Sequence, residues 1–300
     1  MPSVVADLDK KGLIKSAPNF LSGGMQYEVI MGSMAYGVSN DSSDMDIYGF
    51  CIPPRDYIFP HMRGEISGFS TPGPQFDHYQ EHHIQDVGGK GREYDLAIYS
   101  IVKYFRLCME NNPNMIDSLF VPQRCILHST SVGDMLRENR KIFLHKGAWH
   151  KFKGYAFAQM RKLKTKKPQG KRKEMLDEYG FDVKFAYHVV RLLDEVEQIL
   201  TEQDIDLERN REQLKSIRRG DWTADEIEQY FSTKEKELEN LYTNCKLPAK
   251  PDEDKVQSLL LKCLEQHYGD LSNCVVDQDE AIKALREIDG IVSGVKDLYS

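Results

Sequence analysis

No stretch of the chain approaches the roughly eighteen consecutive apolar residues that a membrane-spanning helix needs, so the sequence predicts no transmembrane segment. The segment from Met1 to Lys15 mixes Asp7, Asp9, Lys10 and Lys11 with few apolar positions, and it lacks the apolar stretch of a secretory signal. Cysteine is sparse, and Cys51, Cys108, Cys125, Cys245, Cys263 and Cys274 form no C-x-x-C pair. That spacing argues against a zinc ribbon or a disulfide framework and predicts a reducing, cytoplasmic setting. Gly88-Gly89-Lys90-Gly91 lacks the G-x-x-x-x-G-K-[ST] frame of a P-loop. Tryptophan occurs only as Trp149 and Trp222, which read as packing residues rather than base-stacking platforms.

What remains is an ordinary globular composition. The 300 residues are 40% apolar and 29% charged, enough to bury a core in one large or two modest domains. The formal net charge is −7. Yet Lys141 to Lys173 holds twelve Lys and Arg and no Asp or Glu, so the other 267 residues carry −19. A local basic island of this kind suits a phosphate backbone or a triphosphate; it equally suits a solvated surface and an exposed loop. Composition alone leaves both open.

Along the chain, Tyr27 to Met31 and Met45 to Ile52 read as short strands, the second stopped by Pro53-Pro54. A Gly/Pro/Ser-rich loop spans Arg63 to Gln75, His78 to Val87 reads as extended, and Tyr94 to Tyr99 as a further strand. An amphipathic helix follows near Ser100 to Glu110, and Asn111-Asn112-Pro113-Asn114 supplies a break and a new helix cap. After Pro122 the pattern turns helical, over His128 to Lys166, Met175 to Thr201 and Ile205 to Leu264. The boundary is therefore expected near residue 125, with a small α/β unit over 1–125 and a helical unit over 126–300.

Two segments carry chemistry. Gly32-Ser33 ends a strand and opens what reads as a helix, whose first backbone N–H groups, with the Ser33 hydroxyl, can cradle phosphate. Eleven residues on, Ser43-Asp44-Met45-Asp46 places two carboxylates on one face of a strand, about 7 Å apart. Such a pair repels unless a cation lies between, and hard oxygen donors suit Mg²⁺. Farther along, Lys184, His188 and Arg191 share one helix face at i, i+4, i+7, as do Tyr155, Gln159 and Lys162 in the basic island. His78, His82 and His83 do not make a zinc site by this reading, since strict strand alternation turns His83 away from the other two.

The pattern G-S, a short helix and loop, then D-x-D resembles the DNA-polymerase-β-like nucleotidyltransferase superfamily. More narrowly, G-S-M-A-Y-G over 32–37 and S-D-M-D-I-Y-G-F-C-I-P-P over 43–54 look like its "predicted nucleotidyltransferase" branch, which includes RNA-ligase-associated members. Similarity continues through Ile98 to Phe120, Gly154 to Gln159 and Lys184 to Leu192, so it covers roughly residues 25 to 200. The resemblance implies an α+β fold, with a small mixed palm-like sheet and a helical C-terminal domain closing the active-site cleft. It implies Mg²⁺ or Mn²⁺ on Asp44, Asp46 and a third carboxylate, for which Asp95 is preferred over Asp86. It implies ATP or another NTP bound by Gly32, Ser33, Lys184, His188 and Arg191. The expected reaction moves NMP to an acceptor hydroxyl, foremost an RNA 3′ end tracked by Lys166, Lys167, Lys171, Arg172 and Lys173. A partner protein, a small molecule or an idle nucleotide-binding adaptor are the alternatives.

Overall fold

The structure, a computed structural model, describes residues 2–39, 45–65, 75–85, 93–165 and 171–274, with 285 and 288. Five strands form one mixed sheet: β1 (Met25–Ile30), β2 (Met45–Cys51), β3 (His78–Gln85), β4 (Glu93–Ser100) and β5 (Ile126–Ser129). Their order is β3-β4-β2-β1-β5, with β2 and β4 parallel and every other pair antiparallel. Before the sheet come α1 (Val4–Lys10) and a single turn, α2 (Leu21–Gly24), and another turn, α3 (Arg55–Ile58), follows β2. Then α4 (Ile101–Met109), α5 (Pro113–Phe120), α6 (Ser131–Glu138), α7 (Ala148–Thr165) and α8 (Lys171–Tyr179) lead to the long α9 (Val183–Glu202). The described helices end with α10 (Arg211–Arg218), α11 (Ala224–Asn244) and α12 (Glu253–Tyr268).

Residue alternation explains the layering. In β2, Ile47 and Cys51 turn to the back of the sheet, where they join Leu96, Ile98 and the α1 residues Val5 and Leu8. Tyr48 and Phe50 turn to the front, where Phe50 shares one core with Tyr27, Val29 and the helical half. Lying in the middle of the sheet, β1 is buried at every position. Helix starts are fixed as local sequence dictates: the Ser100 hydroxyl caps α4, and the Asn112 side chain caps α5 with Pro113 in its first turn.

The fold class is the α+β expected. Two details differ from the sequence reading. The sequence reading makes His128 helical, but Ile126–Ser129 forms the β5 edge strand paired along β1, and Thr130 caps α6 only after it. A boundary at 125 therefore cuts through the sheet. The two halves also share one core, in which sheet residues such as Phe50 join Leu192, Leu193 and Val196 of α9.

The apolar stripe of α9 packs against α7, α10 and α11, and Asp194 is drawn in with it. Burial pushes the Asp194 carboxyl up to about 6, against the hydrogen bonds from Tyr230 and Asn210 and the charge of Lys234. A carboxyl raised on folding holds more protons in the native state between its unfolded and folded values, so it costs stability as pH rises through that window. We expect Asp194→Asn to stabilise the protein by about 1–3 kcal/mol at pH 7–8, and to change little below about pH 4. Urea unfolding across pH checks this; equal stabilisation at both ends would refute it.

Candidate active site

The site begins where β1 ends. Met31 N–H donates to the Asp46 carbonyl at 2.7 Å, and the chain then enters a tight 3₁₀ turn over Gly32–Met34. Gly32 sits at φ +66°, and a Cβ there would lie 2.3 Å from Asp46 Oδ2. The left-handed backbone favours glycine, and a larger residue would have to push the Asp46 carboxylate aside. The Gly-Ser turn and the Asp46 carboxylate, fourteen residues apart in sequence, are thus in direct contact.

Asp46 is in register with Asp95 across the parallel β2–β4 pair. Registered residues on parallel strands share a face about 4.8 Å apart, so the two carboxylates are neighbours on the front of the sheet. Tyr48, next on that face, has its phenol pushed well up by burial and by nearby Tyr99, Asp46 and Asp95, so it stays protonated. Beyond it, burial beside Tyr155 also raises the Tyr99 phenol. Asp44 and Asp86 lie outside the described residues.

On the other side of Asp95 the sequence reading needs correcting. The β3–β4 register slips between Glu81 and Ile84, and His83 takes φ +59°. This bulge breaks the alternation that would separate the histidines. His83 N–H donates to Asp95 Oδ1 at 2.9 Å, and His82 Nδ1 lies 3.2 Å from Oδ2. The His83 ring contacts Glu93. One ligand atom each from His83, Glu93 and Asp95 fall within 4.8 Å of one another, a donor set that could hold a divalent cation. Strand alternation sets the two histidines aside and nothing in the sequence marks Glu93; a bulge has no local signal in H-Y-Q-E-H-H-I-Q.

The α9 face dives from solvent into the core. Asp182 caps the helix start, Lys184 is exposed, His188 is half-buried against the Tyr187 ring, and Arg191 is 6% exposed. Arg191 does not present its guanidinium to a phosphate. It pairs with Asp117, which is wholly buried, and with Glu195 at 3.1 Å, and it stacks on the Tyr36 ring at 4.3 Å. Tyr36 in turn donates to Asp117 at 2.7 Å. Burial raises both acids, Glu195 most strongly, while Glu195, Tyr36 and Asp117 together keep Arg191 charged against its own desolvation. One guanidinium thus bridges two buried acids.

This cluster anchors the loop that follows Gly32-Ser33. Tyr36 belongs to that loop, and two further arginines grip its backbone: Arg124 donates to the Met34 carbonyl at 3.0 Å and Arg218 to that of Val38. Four lysines of the basic island, by contrast, pair with acids from outside it. Lys141 pairs with Asp204, Lys151 with Glu110, Lys153 with Glu235 and Lys164 with Glu228. Lys166 and Lys167 lie outside the described residues, as do the side chains of Lys171 and Arg172, while Lys173 is exposed on α8. In α7, Tyr155 accepts a hydrogen bond from Asn112 at 3.0 Å, and Lys162 lies over the Phe185 ring.

A glycine-serine turn packed against a strand aspartate on a mixed sheet is the arrangement of polymerase-β-like nucleotidyltransferases. The chain belongs to the RNA repair pathway DNA polymerase beta family (RlaP), which its residues 22–262 match. Among solved structures it is similar to a nucleotidyltransferase-like protein from Exiguobacterium sibiricum 255-15. That similarity has 8% identity and a TM-score of 0.29, and covers 79% of this chain and 72% of that one. No curated protein matches.

Two outcomes test this geometry. Gly32→Ala should cost about 1–2 kcal/mol from the left-handed backbone alone, and should weaken Mn²⁺ binding by displacing the Asp46 carboxylate; urea unfolding and Mn²⁺ electron paramagnetic resonance check both. Arg191→Met should destabilise by about 3–5 kcal/mol by leaving buried acids uncompensated. Adding Asp117→Asn should then restore part of that loss, whereas strict additivity of the two would refute the pairing.

Proposed function

We propose that the protein transfers a nucleoside monophosphate from an NTP to the terminal 3′ hydroxyl of an RNA, releasing pyrophosphate. The observation that carries this reading is the contact between the Gly32-Ser33 turn and Asp46, with Asp95 in register beside it. Backbone N–H groups of the turn and the Ser33 hydroxyl bind the triphosphate, and Lys184 and His188 face it from α9. Arg191 is withdrawn from that set and holds the loop instead.

Asp44, Asp46 and Asp95 are the residues that would hold Mg²⁺ or Mn²⁺, and the oxygen donors at Asp46 and Asp95 fit such an ion. When bound, the cation lowers the pKa of the acceptor hydroxyl and neutralises the leaving group. Asp95 takes the hydroxyl proton. The acceptor oxygen then bonds to the α-phosphorus as the bond to the β-phosphate bridging oxygen breaks, and that oxygen leaves as pyrophosphate. Tyr48, held protonated, adds a donor beside the carboxylates without adding charge.

The RNA acceptor is supported by the family's repair context and by the basic residues Lys166, Lys167, Lys171, Arg172 and Lys173 near the start of α8. No described helix is long and apolar enough to cross a membrane.

Incubation with α-³²P-labelled NTPs and Mg²⁺ or Mn²⁺, with and without total RNA, tests the proposal. Label should enter RNA, and Asp46→Asn or Asp95→Asn should each reduce it at least about a hundredfold, while Asp86→Ala reduces it little. Label in protein alone would replace RNA with a protein acceptor. Near-wild-type turnover in both Asp variants would remove the metal-site assignment.

A further inference from the structure

The front of the sheet is covered unevenly. Over β1 and β2 the helical half buries Tyr27, Val29 and Phe50 in the main core. At the other end, β3 is the edge strand, and its front row, His78, Gln80 and His82, is exposed. The back row of the same strand, Tyr79 and Ile84, is buried, so β3 is held firmly from behind. This open row runs directly to Asp95, which His82 touches. An acceptor that must bring a hydroxyl to Asp95 can approach over it.

The row is built of a particular chemistry. His78 is the registered partner of Tyr99 on β4, and their rings stack with centroids 5.8 Å apart and planes at 30°. Tyr99 lies on the same face as Asp95, four residues farther along the strand, or about 13 Å. Between them Gln80 and His82 offer an amide and an imidazole. The β3 segment from His78 to Gln85 contains no Lys or Arg, and its exposed front row contains no aliphatic side chain. A surface with π faces and hydrogen-bonding groups, but without fixed cations or aliphatic knobs, is suited to bases rather than to phosphates or a protein partner.

We propose that the β3–β4 front is a base-binding platform for the single-stranded 3′ end of the acceptor RNA, with a base stacked on His78 and Tyr99 and the terminal hydroxyl directed toward Asp95. This rests on the RNA-acceptor reading and gives it a location distinct from the basic island. Stacking and base-edge hydrogen bonds supply this part of the affinity, and phosphate neutralisation does not. The two contributions therefore respond differently to salt.

The test measures binding of a short 5′-fluorescein-labelled single-stranded RNA to the full chain by anisotropy, over a range of salt concentrations. Tyr99→Leu and His78→Ala should each weaken binding by about fivefold to a hundredfold, leaving the slope of log Kd against log salt unchanged. Tyr99→Phe keeps the ring and should bind as wild type, which guards against a folding explanation for Tyr99→Leu. Neutralising Lys171, Arg172 and Lys173 should instead flatten the slope. Mg²⁺–NTP binding and melting temperature should be near wild type in the ring variants, and blunt duplex RNA should not distinguish them. If the double variant His78→Ala/Tyr99→Leu binds single-stranded RNA within twofold of wild type, or if wild type binds none, the platform is refuted. RNA binding that is lost in these variants, in a protein that labels no RNA, would keep the platform and overturn the transfer reaction.

Discussion

One buried cation organises the molecule. Arg191 has lost nearly all contact with water, and a charge so placed must be matched by an acid or the region does not pack. Its partners come from two distant parts of the chain, Asp117 on α5 and Tyr36 on the loop after β1, and from Glu195 one turn along its own helix. Satisfying this single guanidinium therefore fixes the central helix of the C-terminal half against the loop that carries Gly32 and Ser33. Arg124 and Arg218 reinforce the same joint by holding the carbonyls of Met34 and Val38. The Gly32-Ser33 turn is thus set by the helical half as much as by the strand that precedes it.

With the turn fixed, the chemistry at the sheet follows from crowding. Asp46 is pressed against a residue without a side chain, Asp95 stands beside it in parallel register, and Glu93 is close by on β4. Like charges gathered on one face repel, and a divalent cation relieves that repulsion. The histidines of the β3 bulge reach these acids from the edge, His82 at Asp95 and the His83 ring at Glu93. The acids elsewhere in the chain do comparable work on the basic island, where Asp204, Glu110, Glu235 and Glu228 each hold one lysine. The pairing acids lie outside the segment, so these matches cannot be counted along it.

What the sequence determined by itself is what local rules control. Strand alternation and the Pro53-Pro54 stop give β2, hydroxyl and amide caps give the starts of α4 and α5, and helical spacing gives α9. The spacing of Gly32-Ser33 from Asp46, read against a family pattern, marks the two halves of the site. The tertiary structure decided everything that depends on which distant groups meet. Lys184, His188 and Arg191 share a helix face in any reading, but only packing shows that the face descends into the core, turning its last member from a phosphate ligand into an anchor. Ile126–Ser129 becomes a strand because β1 offers it an open edge. His82 and His83 come to Asp95 because one extra residue in β3 breaks a period of two, and a bulge arises from pairing between strands rather than from either strand alone.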